Sequence, residues 1–243
     1  MRMKSYRVNS RKNPWRNTRD IKSVDPAKVW GILLTVFMPI MIITIALNVT
    51  MRLPDSYDFN MSSSEILDTM TTQIDQQTLS NLFGDYMQHR TDVFQMKQNT
   101  SYNPQNVFNA ADQKFMYNIR HSLDMTAAIA ILAVIITGLA MFFLIRWRKH
   151  EIHMKAFKRG AVIFFILTAL NTAVKLITPL FDKLIDPIRG TGFVEGDPLI
   201  TILSAGFTKT ETMFELLISC VFLGVLAYVT WQVAGPKRLF KGY

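Results

Sequence analysis

Four stretches of nearly unbroken hydrophobicity, at 29–49, 123–145, 161–180 and 213–234, constrain this chain more than any other feature. Each is long enough to cross a hydrocarbon layer about 30 Å thick at a helical rise of about 1.5 Å per residue. Inside hydrocarbon every backbone amide needs a partner within the protein, so runs of this kind fold as helices. Hydrophobic residues make up 49% of the 243 positions and are gathered into blocks instead of recurring at helix or strand period, which separates the chain from soluble classes. The fold class expected is all-α: a polytopic membrane protein with four transmembrane helices and a small helical extracytoplasmic cap. The expected spans are 29–50, 123–146, 161–181 and 213–234. Between and around them lie a basic N-terminal segment 1–28, an outer helical segment 51–122, a cytoplasmic loop 147–160, an outer loop 182–212 and a tail 235–243.

The net charge of +9 would suit nucleic acid, but its placement points elsewhere. Eighteen of the 27 Lys and Arg fall in 1–29, 146–159 and 237–241, three segments that a four-span topology puts on one side. This positive-inside distribution predicts cytoplasmic N and C termini and a membrane-lipid partner, with no role for nucleic acid. Span one lacks a small-residue cleavage site, so an uncleaved anchor is expected. The one cysteine, Cys220, sits inside span four, so packing has to hold the outer segment together. No glycine-rich phosphate loop, serine elbow or paired-cysteine motif occurs, and neither cofactor nor metal is expected. His150 and His153 read as a solvated part of the basic loop. There is no internal repeat of the kind on which many transporters are built.

In the outer segment, Ser62 with Glu65 has capping-box spacing and opens a helical pattern through Ile66, Leu67, Met70 and Ile74. A second helix is expected over 79–96, with Leu79, Phe83, Tyr86, Met87, Val93 and Phe94 on its apolar side. After a turn-rich stretch at 98–106, Asn109 with Asp112 marks the start of a long helix that continues into span two.

Ionisable residues within spans are costly, roughly 2.5–3.5 kcal/mol each on insertion scales, and so they are informative. Asp124 opens span two, Glu215 opens span four, and Lys175 lies about 9 Å inside the outer end of span three at helical rise. Lys175 is expected to pair with Glu215 or Asp124 beneath the cap, with Asn171 one turn below it. The alternative is a snorkelling lysine with the two acids in the interface. His89, with Asp92 one helical turn later, has the spacing of an oriented general base.

Residues 108–120, Phe-Asn-Ala-Ala-Asp-Gln-Lys-Phe-Met-Tyr-Asn-Ile-Arg, precede span two. Phe181-Asp182, then Asp197-Pro198-Leu199-Ile200 and Phe207, follow span three, and Tyr86-Met87 follows Leu82. In these features and in its four spans the chain resembles the lipoprotein intramolecular transacylase (Lit) family of low-GC Gram-positive bacteria. That family has a phenylalanine, an acidic stretch and His-Met-x-Asp-Val-Lys/Arg before span two, so Phe115 stands where its histidine is expected and Asn118 where its aspartate is. After span three Asp182 stands where a second histidine is expected. His89-x-x-Asp92-Val93 offers a weaker register of the same motif.

The resemblance implies a bacterial plasma-membrane protein acting at the outer leaflet, on an acyl chain of a lipoprotein's diacylglyceryl-cysteine. It also implies that the usual histidine pair is missing. Asp182 and His89 are then the candidate catalytic residues. Lys175, Glu215, Asp124, Asn118 and Asn171 form a candidate binding or structural polar cluster. The alternative is a non-catalytic protein that binds lipid or lipoprotein, or an accessory subunit.

Overall fold

A computed structural model describes residues 25–64, 75–99, 104–177, 183, 199, 202–203 and 205–234. Helix α1, Pro26–Arg52, begins where the Asp25 side chain accepts the amide of Ala27 at 3.0 Å and proline occupies the first turn, whose amide has no helical partner to lose. Helix α1 is the axis of the molecule. The other three long helices, α4 (Ala110–Arg146), α5 (His150–Leu176) and α6 (Ala205–Ala234), all pack against it, whereas α4 and α5 barely touch. Four described helices are thus long and apolar enough to cross a membrane, and the chain is a multi-pass membrane protein.

Small residues bring these helices close, since between spans van der Waals contact stands in for the hydrophobic effect. A Cβ on Gly31 would sit 2.8 Å from Ile152 Cγ2, and one on Gly160 would sit 3.2 Å from the Thr35 carbonyl. Ala133 and Ala140 of α4 lie in the same core as Leu34, Met38 and Ile42 of α1.

Both ends of α4 follow local rules. Asn109 accepts the amides of Ala111 and Asp112, and Asp112 accepts the amide of Asn109, which completes the capping box read in the sequence. At the other end Arg148 takes a left-handed conformation with φ 56°. The Lys149 amide bonds to Leu144 O and the Arg148 amide to Ile145 O, both at 2.9 Å, a closed helix end followed at once by α5. The connection expected over 147–160 is therefore helical from His150 onward. His153, expected to be solvated, instead turns inward and is fully buried, and its ring nitrogens have no hydrogen-bond partner among the described residues.

The cap consists of α2 (Pro54–Ser64), α3 (Gln76–Met87) and a two-stranded antiparallel hairpin, β1 (Lys97–Asn99) with β2 (Pro104–Asn106), in which Lys97 faces Asn106. Its core is a chain of aromatic contacts. Tyr57 stacks on Phe83 with centroids 4.8 Å apart, Phe83 meets Phe94 at 5.0 Å, and Phe94 meets Phe108 at 4.5 Å. The Tyr57 hydroxyl donates to Met51 O at 2.7 Å, and burial pushes its phenol well above the ordinary value.

Two cap expectations are corrected. Ser62 does not open a helix; it lies in the last turn of α2 and its hydroxyl donates to Asp58 O. Glu65 and the helical pattern over 66–74 fall outside the described residues. The helix expected over 79–96 stops at Met87, because His89 is left-handed with φ 60° and closes the end: the Arg90 amide reaches Asp85 O at 2.8 Å and the His89 amide reaches Tyr86 O at 3.2 Å. The reversal drives Phe94 into the core and leaves Val93 exposed.

The seam between α2 and α3 closes on Gly84, where a Cβ would come 2.4 Å from Pro54 Cγ. Gly84→Ala is expected to destabilise the cap by about 1–3 kcal/mol through overpacking. Thermal unfolding in detergent checks this, with Gly138→Ala, where nothing lies within 4 Å of an added Cβ, as the neutral control.

Candidate functional site

The ionisable residues of the spans fall into two separate groups. The first lies between α5 and α6. Because α6 begins at Ala205, ahead of the span expected from 213, Glu211 and Glu215 sit one turn apart on the same helix face. Lys175 Nζ reaches Glu211 Oε1 at 2.8 Å and Glu215 Oε2 at 2.6 Å, and Asn171 Nδ2 donates to Glu215 Oε1 at 3.1 Å. The three charged side chains are only 11%, 8% and 7% exposed. One residue before Glu211, Thr210 Oγ1 donates to Asn60 Oδ1 at 3.3 Å, which ties this end of α6 to α2 of the cap.

Lys175, Glu215 and Asn171 thus come together, and Glu211 joins them. The signal for Glu211 was its spacing of four from Glu215, hidden by the polar composition of the turn that contains it.

Asp124, expected within reach of Lys175, belongs to the second group. Arg52 Nη2, at the end of α1, contacts Asp124 Oδ1 at 2.8 Å, and His89 Nε2 contacts the same oxygen at 3.0 Å. Gln88 Nε2 donates to Arg52 O at 2.6 Å and so ties the α3 end to α1. This group is open to solvent, with His89 46% and Asp124 38% exposed. His89 therefore does not form the pair expected with Asp92. Once the chain reverses at His89, Asp92 is no longer one helical turn away, and Asp124, 35 residues on, takes its place.

An ionised carboxylate only accepts hydrogen bonds, so the tautomer that fits has the proton on His89 Nε2 and leaves Nδ1 with its lone pair. A carboxylate-held imidazole of this kind can take a proton from a nucleophile.

The remaining candidates lie elsewhere. Phe115 is buried in the cap core with Met116 and Phe108. Asn118 is half-buried on α4, and its carbonyl accepts the Ser122 hydroxyl at 2.9 Å. Asp182 falls outside the described residues. No group of three or more side chains suited to a metal ion occurs among the described residues.

Fold and site together define a multi-pass membrane protein of four long helices, with two charged groups where the spans meet a helical cap. Solved structures of the membrane-integral lipoprotein intramolecular transacylase Lit from Bacillus cereus share this fold. A variant with a histidine-to-alanine mutation aligns with a TM-score of 0.64 at 13% identity, over 88% of this chain and 96% of that one. A histidine-to-arginine variant gives 0.65 at 14% identity, over 88% and 94%. A third Lit structure gives 0.60 at 12%, over 85% and 97%. No family model matches the sequence, and no curated protein sequence does either.

Removing the cation from the first group leaves two buried carboxylates facing each other. Lys175→Met is expected to cost about 3–5 kcal/mol, the penalty for an uncompensated buried charge. The triple change Lys175→Met, Glu211→Gln, Glu215→Gln should recover most of that loss. Thermal unfolding of the purified proteins in detergent separates the two outcomes.

Proposed function

We propose that this chain is a Lit-like acyltransferase acting at the outer leaflet on lipoproteins, with His89 and Asp124 as its base pair. The observation that carries this reading is the 3.0 Å contact between His89 Nε2 and Asp124 Oδ1 at the junction of cap and spans, on a fold shared with Lit. The distribution of Lys and Arg supports an external cap, since the segments beyond the opposite helix ends hold most of the cations.

In this reading the substrate is the diacylglyceryl-cysteine of a lipoprotein. The free amine attacks an ester carbonyl, a C–N bond forms, and His89 Nδ1 accepts the proton released by the nitrogen. Asp124 steadies the imidazolium. The tetrahedral intermediate then expels the glycerol oxygen, the C–O bond breaks, and the same proton passes to that oxygen. The products are an amide and a free hydroxyl. Arg52, within 2.8 Å of Asp124, supplies positive potential beside the developing oxyanion.

A second reading rests on a different observation. Phe115, which takes the place of a histidine in the resemblance, is a 4%-exposed member of the cap core. A chain with that substitution and a fully paired Lys175 also fits a protein that binds lipoprotein without acting on it.

The test is expression in a strain lacking lipoprotein N-acylation, followed by mass spectrometry of one lipoprotein. Acyl transfer is expected with the natural chain. With His89→Ala it should fall by about 10²-fold or more, the usual contribution of a general base. His89→Gly should do the same without loss of thermal stability, because glycine accepts the left-handed φ more readily. A lipoprotein left in its diacylglyceryl form by the natural chain contradicts the acyl-transfer reading and favours binding alone.

A further inference from the structure

The cap carries a cleft that neither charged group uses. It has a volume of about 320 Å³, and its walls include Tyr86, Asp92, Val93, Phe94, Lys114 and Tyr117. On α4, Tyr117, Arg120 and Asp124 are spaced by three and four residues and so form one stripe along the helix. The segment after α3 runs down this stripe. His89 meets Asp124 at one end, Arg120 Nη1 donates to Thr91 O at 3.3 Å in the middle, and Asp92 and Val93 border the cleft with Tyr117 at the other. Arg120 also stands over the Tyr86 ring, 4.2 Å from its centroid, and fixes the floor between the two ends. The cleft and the His89–Asp124 pair thus lie at two ends of one stretch of α4. Seven residues of helix separate Tyr117 from Asp124, about 10 Å at helical rise, a distance that extended peptide covers in roughly three residues.

We propose that this cleft holds the peptide portion of the lipoprotein, about three residues beyond the acylated end placed at His89. This rests on the acyl-transfer reading and adds to it the part of the substrate that sets selectivity. The chemistry favours peptide over acyl chain. This part of α4 precedes the apolar run, on the water side of the boundary, so an acyl chain could reach it only by leaving the hydrocarbon in which it is already buried. The walls offer a carboxylate and an ammonium, Asp92 and Lys114, beside the aromatic surfaces of Tyr86 and Tyr117. Opposite charges at one cleft suit a chain with its own amides and charged side chains, with Asp92 as the partner of a basic residue and Lys114 as the partner of an acidic one.

Two measurements on the full chain in phospholipid nanodiscs test this. The first uses synthetic diacylglyceryl-cysteine peptides that carry Lys, Ser or Asp as the fourth residue. The natural chain should transfer both charged peptides, and Asp92→Lys should shift the Lys-to-Asp ratio by up to about fivefold toward Asp, the range of one solvent-exposed ion pair. The second places a benzophenone-bearing amino acid at position 117 and, as control, at position 149. Irradiation should crosslink the Lys peptide from 117 and not from 149, with the crosslink at the third to fifth residue. Transfer without a charge shift or a crosslink from 117 overturns the cleft and leaves the acyl-transfer reading standing. A crosslink at the stated residues without any transfer overturns the reading and keeps the cleft as a peptide site. Neither transfer nor crosslink overturns both.

Discussion

Every feature of this chain depends on the solvent in which its helices stand. In hydrocarbon an unpaired amide or carbonyl costs several kcal/mol, so the four apolar runs fold as closed helices, and close contact between them falls to glycine and alanine. Helix α1 bears most of that contact, packing on all three other spans. Its end also begins the cap. Leu53 turns the chain into α2, the Tyr57 hydroxyl reaches back to Met51 O, and Arg52 extends to Asp124. A single helix end thus sets the height of the cap and the position of the carboxylate against which His89 rests.

The two charged groups differ in what their surroundings allow. Lys175, Glu211 and Glu215 are nearly dry, and their geometry is satisfied from several sides, by the ammonium and by Asn171. Such a group is rigid and expensive to alter, and it suits holding α5, α6 and the cap in one arrangement. Arg52, Asp124 and His89 are 26%, 38% and 46% exposed, and only one imidazole nitrogen contacts the carboxylate. That arrangement suits exchange of a proton with an incoming molecule. The acyl-transfer proposal assigns chemistry to the open group and support to the closed one on this physical distinction.

Much of the fold was legible in the sequence because its causes are local. Span number followed from run length, and the start of α4 from Asn109 and Asp112 three residues apart. The stop of α3 was not legible. It depends on a left-handed histidine at a position where glycine would have announced it, so the apolar pattern through Val93 and Phe94 read as continuing helix. The early start of α6 was hidden for the opposite reason: Thr208, Lys209, Thr210 and Glu211 resemble a polar loop, although they are the first turns of a span whose acids face a buried lysine. Of the candidate site, Lys175 with Asn171 could be read from depth and spacing along one helix, whereas the choice of Glu215 over Asp124 as its partner could not. The partners of Asp124 could not, since Arg52 and His89 lie 72 and 35 residues away and only the tertiary fold brings them near.

In the proposed topology the cap, and with it the His89–Asp124 pair, faces the exterior while the turn between α4 and α5 faces the cytoplasm. Cys220 is the single cysteine, so its replacement by serine gives a clean background for labelling. Thr91→Cys and Glu151→Cys are then each treated in intact cells with a membrane-impermeant maleimide. Position 91 is expected to be labelled directly and position 151 only after the membrane is opened. Labelling of 151 in intact cells while 91 stays protected would contradict this topology.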